Sequence, residues 1–304
     1  MLDFTKEFND IKIGSAVFWY IFTMAIVIIS VYIIGDVDLL NNNNLLSLIS
    51  TTLFILVLLY KFRVNKNKLF LLIKDYFMKI NIREIAGVVA TQLCLSMGLS
   101  LLLIGIIYFA FPDMLNNLLS ESSVDEVSTY GGLFISMLIT VIGAPLMEEL
   151  FFRAIIFKRI SRKFNIYLGM IISSLVFGLL HIELAIIGAF LFGIACCILY
   201  IKYKNILIPM TVHFFNNLLA FLPQIDINAP VDSSPITSSD ATTSIISGLI
   251  LFLIGMYFFI KFILKNKNHL RGGFTPRIDE KFKFENIDPN YILFLFYKII
   301  PTRM

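Results

Sequence analysis

Residues 131–157 read GGLFISMLITVIGAPLMEELFFRAIIF. Glu148, Glu149 and Arg153 are the only charged residues in the stretch. A bilayer core needs about 20 apolar residues for a helical crossing, so the stretch reads as a membrane-spanning helix with three ionisable groups inside it. Such groups cost roughly 3 kcal/mol each at the membrane centre, and they point by default to a functional site. Two nearby apolar stretches carry polar residues at the same helical spacing, Phe177-x-x-x-His181 and His213-x-x-x-Asn217. Two carboxylates, two imidazoles, an amide and a guanidinium in three neighbouring segments form a catalytic inventory.

Composition agrees with a membrane protein. Of 304 residues, 58% are hydrophobic and 30 are Phe, and the mean hydropathy is +0.84. Soluble domains rarely reach such values. Cys94, Cys196 and Cys197 all lie in apolar stretches and read as small hydrophobes rather than as a disulfide or metal site. The usage of Ile, Asn and Lys suggests an AT-rich bacterial genome, hence a multi-pass protein of the bacterial plasma membrane. The first apolar run is long enough to span and lacks a small-residue cleavage site, so it reads as a retained helix.

The fold class expected is all-α, a polytopic bundle of about eight transmembrane helices. The spans fall near 15–35, 45–62, 86–110, 131–157, 166–182, 184–202, 206–222 and 243–264. All 25 Lys and Arg lie in the N-terminus, the second, fourth and sixth loops and the C-terminal tail, or, for Lys61, Arg153, Lys202 and Lys261, in the ends of the spans that adjoin them. The intervening loops at 36–44, 111–130, 183 and 223–242 hold none. The positive-inside rule then puts both termini in the cytoplasm, and an odd number of spans would spoil the partition.

Three regions follow. Residues 1–129 form a scaffold of three spans with an interfacial helix at 69–80. There Leu69, Leu72, Ile73, Tyr76, Phe77 and Ile80 share one face, and Lys74, Asp75 and Lys79 the other. Residues 130–222 carry the chemistry on spans four to seven. Residues 223–304 comprise a polar outer loop, the eighth span and a tail whose 291–300 stretch is apolar but too short to cross.

Neighbouring residues on a helix point about 100° apart, so Glu148 and Glu149 cannot share one task. Arg153 is four residues from Glu149, within reach on the same face. The expected division makes Glu149–Arg153 a structural ion pair and leaves Glu148 facing a cavity. Pro145 after Gly143-Ala144 loosens the helix there, which membrane proteins tolerate beside a protein cavity. Phe177 and His181 share a face, so the ring can orient the imidazole. His213 and Asn217 together suit a developing oxyanion. At about 1.5 Å per residue, Glu148, His181 and His213 lie roughly 18, 22 and 12 Å from the cytoplasmic ends of their helices. A short or tilted fifth helix ending at His181-Ile182-Glu183 brings them level. Taken singly, each pair also reads as structural: interhelical glue for the glutamates, a satisfied core residue for His181, a hydrogen-bonded pair for His213 and Asn217. Asn216 faces elsewhere and packs, and His269 belongs to the charged tail.

At these residues the sequence resembles the CPBP family of intramembrane proteases, also called the CAAX-protease and bacteriocin-processing or Abi family. Glu148, Glu149, Arg153, Phe177, His181, His213 and Asn217 match its three motifs in order, over about residues 130–222. The resemblance implies an intramembrane endopeptidase similar to type II CAAX prenyl proteases. It implies that Glu148 and His181 activate a water, that His213 and Asn217 stabilise the oxyanion, and that Glu149, Arg153 and Phe177 support them. The substrate implied is a hydrophobic or lipidated peptide or a membrane protein segment. CAAX-type processing, peptide-pheromone or bacteriocin maturation, and self-immunity are all open settings.

The family is often labelled metalloprotease, and zinc on Glu148, His181 and His213 is one arrangement the residues allow. The sequence has no His-Glu-x-x-His, and an amide is a poor zinc ligand, so the expectation is a glutamate mechanism with no cofactor. A non-proteolytic membrane protein that regulates a sensor kinase or confers bacteriocin immunity is the alternative function. A membrane partner protein belongs to that alternative, and Glu148→Ala separates the two. A proton-coupled transporter also uses buried Glu and His, but no paired discontinuous spans support it. The lipid bilayer is a partner on any reading, and no nucleic-acid partner is expected.

Overall fold

The computed structural model describes residues 10–34, 43–113, 115, 129–181, 185–224 and 236–271. The 225–235 stretch of the outer loop, Glu183 and the 291–300 segment lie outside the described residues. Among the described residues the protein is helical throughout. In chain order the helices are α1 (Ile13–Ile34), α2 (Asn43–Lys61), α3 (Lys66–Lys79) and α4 (Ile82–Ala110). They are followed by α5 (Tyr130–Lys163), α6 (Ile166–Leu179), α7 (Ile186–Tyr203), α8 (Leu207–Phe221) and α9 (Ser238–Leu270).

Each of the eight stretches read as spans contains an apolar helix. Six (α1, α2, α4, α5, α7 and α9) are long and apolar enough to cross a membrane. α6 has 14 residues and α8 has 15, short of the full core thickness. The charged and polar residues at their ends cut them off: Asn165 caps α6 by accepting from Leu168 N at 2.8 Å. Asn65, Asn81, Thr129 and Thr237 start α3, α4, α5 and α9 in the same way. At Thr237 a capping box with Asp240 satisfies two end groups.

α7 is the centre of the bundle. Cys196, Cys197, Ile198, Leu199 and Tyr200 are fully buried, as expected of a helix that is apolar all round. α1, α2 and α9 instead present Phe18, Ile29, Leu56, Leu253 and Tyr257 outward, faces suited to lipid. α4 and α9 run antiparallel and pack most extensively. Small residues bring their backbones together. A Cβ on Gly98 would stand 2.6 Å from Phe252 N, and one on Gly248 2.6 Å from Leu102 N.

α3 keeps an outward apolar face, with Leu69 and Phe77 exposed, but Asp75 of its polar face is buried rather than solvated. The reason is the α7–α8 turn. Lys204 ends α7 in the left-handed region at φ 52°, and Asn205 then reaches α3, donating to Asp75 Oδ2 and Leu72 O, both at 3.0 Å. Lys79 pairs with Asp75 at 2.7 Å and donates to Tyr203 O at 3.0 Å. Polar anchoring under the bundle outweighs the burial of the apolar face, which has lipid available in any case.

Candidate active site

α5 is surrounded by α2, α6, α7 and α8, and it carries the glutamates through an irregular region. Leu138–Gly143 and Glu149–Phe157 are π-helical, separated by the short α-helical stretch Ala144–Glu148. Insertions of this kind occur frequently at functional sites. Pro145 explains part of the first one. In the widened register Ala144 N–H reaches Ile139 O, five residues back. The next carbonyl, that of Thr140, would need an N–H at position 145, and proline has none. Asn217 Nδ2 of α8 donates to that carbonyl at 2.9 Å. The interruption in α5 is therefore satisfied by a motif residue of another helix. On the second π stretch, Ser173 of α6 donates to Phe152 O at 2.9 Å.

Glu149 and Arg153 are both fully buried and meet at 3.1 Å, Nε to Oε2. The guanidinium also lies over the Phe177 ring, 4.5 Å from its centre, and close to the thiols of Cys196 and Cys197. Glu149 has a second partner that its helix position alone does not show: His213 Nδ1 donates to its Oε1 at 2.9 Å. Glu149 thus joins α5 to α8 and sets the imidazole plane. Phe192 of α7 holds the other side of that ring edge-on at 4.9 Å.

With Nδ1 engaged, His213 Nε2 faces Glu148 Oε2 at 3.6 Å, too far for a direct hydrogen bond. Glu148 itself is partly exposed, yet Oε2 is buried and has no hydrogen-bond partner among the described residues. An unpartnered buried carboxylate oxygen is costly and is available to a substrate or water.

His181 lies just past the end of α6, in a turn closed by its own N–H to Gly178 O at 3.0 Å. Its Nδ1 is 2.8 Å from Phe177 O. A carbonyl only accepts, so Nδ1 carries the proton and Nε2 presents its lone pair. The Phe177 ring lies between the two imidazoles, 4.5 Å from that of His181 and 6.0 Å from that of His213. Phe177 thereby touches His181, His213 and Arg153, more than the i, i+4 spacing indicated.

Asn216 differs from its expected pose. Its Nδ2 donates to Asn217 Oδ1 at 3.3 Å, so it orients the neighbouring amide rather than simply packing. Phe192 and Thr140 escaped the sequence reading. For Thr140 the signal was present, since Pro145 leaves a carbonyl without its donor one turn earlier. For Phe192 there was none, because one Phe among 30 has no mark of its own.

His213 Nδ1 and His181 Nδ1 are engaged by Glu149 and by the Phe177 carbonyl, which leaves Nε2 as the open nitrogen of each ring. Among the described residues, no three His, Cys, Asp or Glu side chains are grouped to hold an ion.

Comparison with known proteins falls on this same segment. Residues 130–219 match the family model described as Type II CAAX prenyl endopeptidase Rce1-like, and the match contains all seven motif residues. "Putative membrane peptidase YdiL" of Bacillus subtilis (strain 168) is 30% identical over 116 residues, 38% of this chain and 46% of that protein. The chain therefore aligns with about half the length of this curated relative. No solved structure matches. The resemblance to the CAAX-protease family is borne out. With six long apolar helices, the protein is a multi-pass membrane protein, consistent with a bacterial plasma membrane.

Proposed function

We propose that this protein is an intramembrane endopeptidase that uses a glutamate-activated water. The observation that carries the reading is Glu148 Oε2, buried and without a hydrogen-bond partner among the described residues, beside an imidazole that Glu149 holds from its far side. Glu148 takes a proton from water as the water oxygen attacks the scissile carbonyl carbon. His181 orients that water through its Nε2 lone pair. The carbonyl oxygen becomes an oxyanion, to which His213 Nε2–H and the second Nδ2–H of Asn217 are the donors. To donate there while Nδ1 stays on Glu149, His213 must be protonated, and a carboxylate stands on each side of that cation. Glu148 then returns its proton to the leaving amine. No metal step enters this sequence.

The substrate class is a hydrophobic or lipidated peptide or a membrane protein segment. An apolar cavity of about 480 Å³ supports it. The cavity is lined by Val141, Pro145 and Leu146 of α5, Met210 and Phe214 of α8, and Phe77 of α3, so it reaches the same stretches of α5 and α8 that carry Glu148 and His213. CAAX-type processing, pheromone or bacteriocin maturation and self-immunity all supply substrates of this chemistry.

The test is Glu148→Gln, which keeps shape and removes the base. Cells carrying this variant should accumulate uncut substrate, identified by comparing membrane peptides and new termini with those of the native strain. A general base contributes about 10²–10⁴ in rate. A variant that is normally abundant and cleaves within about tenfold of the native rate would sink the mechanism.

A further inference from the structure

A second cavity lies away from the glutamates, between the N-terminal end of α4, the C-terminal end of α9 and the middle of α7. It measures about 220 Å³. Its rim carries three cations, Arg83, Lys261 and Lys265, and its interior is apolar, with Val88, Ala195 and Phe259. Glu84 is the one carboxylate among its lining residues, and it is already compensated. Lys202 Nζ reaches its two oxygens at 2.6 and 2.7 Å, and the Tyr203 hydroxyl donates to it as well. The rim is left with a positive excess at the end of the bundle where basic residues collect.

The shape follows from the α4–α9 packing. From Gly105 to Leu95 the two helices touch through Ala241, Gly248 and Gly255. Beyond Gly255, Phe258, Phe259 and Phe262 of α9 line the cleft between α4 and α7. Between Glu84 and Gln92 it runs roughly 12 Å along α4, at about 1.5 Å per residue. At its inner end Gln92 Nε2 donates to Gly188 O at 2.8 Å, closing the cleft against α7. Gly87 lines it with no atom within 4 Å of a would-be Cβ.

We propose that this cleft binds an anionic phospholipid, with its phosphate at Arg83, Lys261 and Lys265 and the upper part of one acyl chain along Val88, Ala195 and Phe259. A cationic rim over an apolar slot, at headgroup depth, matches a phosphodiester joined to hydrocarbon and no soluble anion. Basic pockets between transmembrane helices hold lipid headgroups by this chemistry. The lipid fills the space between the α4–α9 pair and α7, and so joins the scaffold to the helix at the bundle centre. The proposal is independent of the peptidase reading.

The experiment uses the full chain in neutral-detergent micelles titrated with phosphatidylglycerol or phosphatidylcholine, with bound lipid counted by native mass spectrometry. One phosphatidylglycerol should bind in preference to phosphatidylcholine. Each basic residue facing an anionic headgroup contributes roughly fivefold, so Arg83→Ala with Lys265→Ala should weaken that binding about 25-fold. Gly87→Leu keeps every charge, fills the slot without a backbone clash, and should abolish the tight site. Lys74→Ala with Lys267→Ala, two exposed cations elsewhere, should change nothing. Three outcomes would overturn the proposal: no preference for the anionic lipid, full binding by Gly87→Leu, or an equal loss in the Lys74/Lys267 control. Competition by free glycerol phosphate as strong as that by the lipid would also overturn it, because the acyl slot would then contribute nothing.

Discussion

Arg153→Ala is the perturbation with the largest effect that the geometry sets. The guanidinium is fully buried, 3.1 Å from Glu149 and 4.5 Å above the Phe177 ring. Removing it leaves the Glu149 carboxylate without its permanent cation in a site closed to bulk solvent. Breaking a buried pair in this way costs about 3–5 kcal/mol, and the lost contact with Phe177 adds up to about 2 kcal/mol. Glu148→Ala removes a carboxylate that is partly exposed and whose buried oxygen has no hydrogen-bonded partner among the described residues, so it should cost under about 1 kcal/mol. The assay is the monodisperse fraction and its thermal midpoint, by fluorescence-detected size exclusion in one detergent. Arg153→Ala should be mostly lost or melt far below the native protein, and Glu148→Ala should elute like it. A double change, Glu149→Gln with Arg153→Met, removes both charges while the amide carbonyl that replaces the carboxylate still accepts from His213. It should regain most of the stability, since an apolar replacement of a buried pair is often neutral. If Arg153→Ala is as stable as Glu148→Ala, or the double variant is no better than the single one, the buried-pair argument fails.

On the proposed mechanism, Asn217→Ala removes one oxyanion donor and should lower kcat about 10²–10³-fold. It also uncaps Thr140 O, so a modest drop in thermal midpoint should accompany it; unchanged turnover would remove Asn217 from the mechanism. Activity should survive exhaustive chelation, with metal content measured by mass spectrometry on the same sample. Stoichiometric zinc whose removal and return track turnover would replace the glutamate-only route. In a background without native cysteines, Lys66→Cys and Arg271→Cys should label from the cytoplasm and Ser239→Cys from outside; labelling of positions 239 and 271 from one side would break the topology. Gly248→Leu should collapse the α4–α9 pair, because its Cβ would stand 2.6 Å from Leu102 N. Gly87→Ala, in open space, should be tolerated, and equal abundance of the two would contradict the packing described.

The sequence by itself determined what depends on spacing within one helix. Hydropathy marked the apolar helices, and two i, i+4 motifs placed Glu149 near Arg153 and Phe177 near His181. These contacts are legible because a rise of about 1.5 Å and a turn of about 100° per residue settle them before any tertiary contact forms. The tertiary structure alone decided what crosses between helices. His213 lies 64 residues from Glu149, and no local rule pairs them. Their bond makes Glu149 an orienting group as well as an ion-pair partner. Asp75 of α3 was assigned to the outside by amphipathic spacing, yet it turns inward because Asn205, 130 residues later, supplies its hydrogen bond. In lipid an apolar face loses little by pointing outward, whereas a polar group must find its partner inside the protein. Polar pairing therefore settles helix orientation in this bundle, and which polar groups pair is known only when the helices are packed.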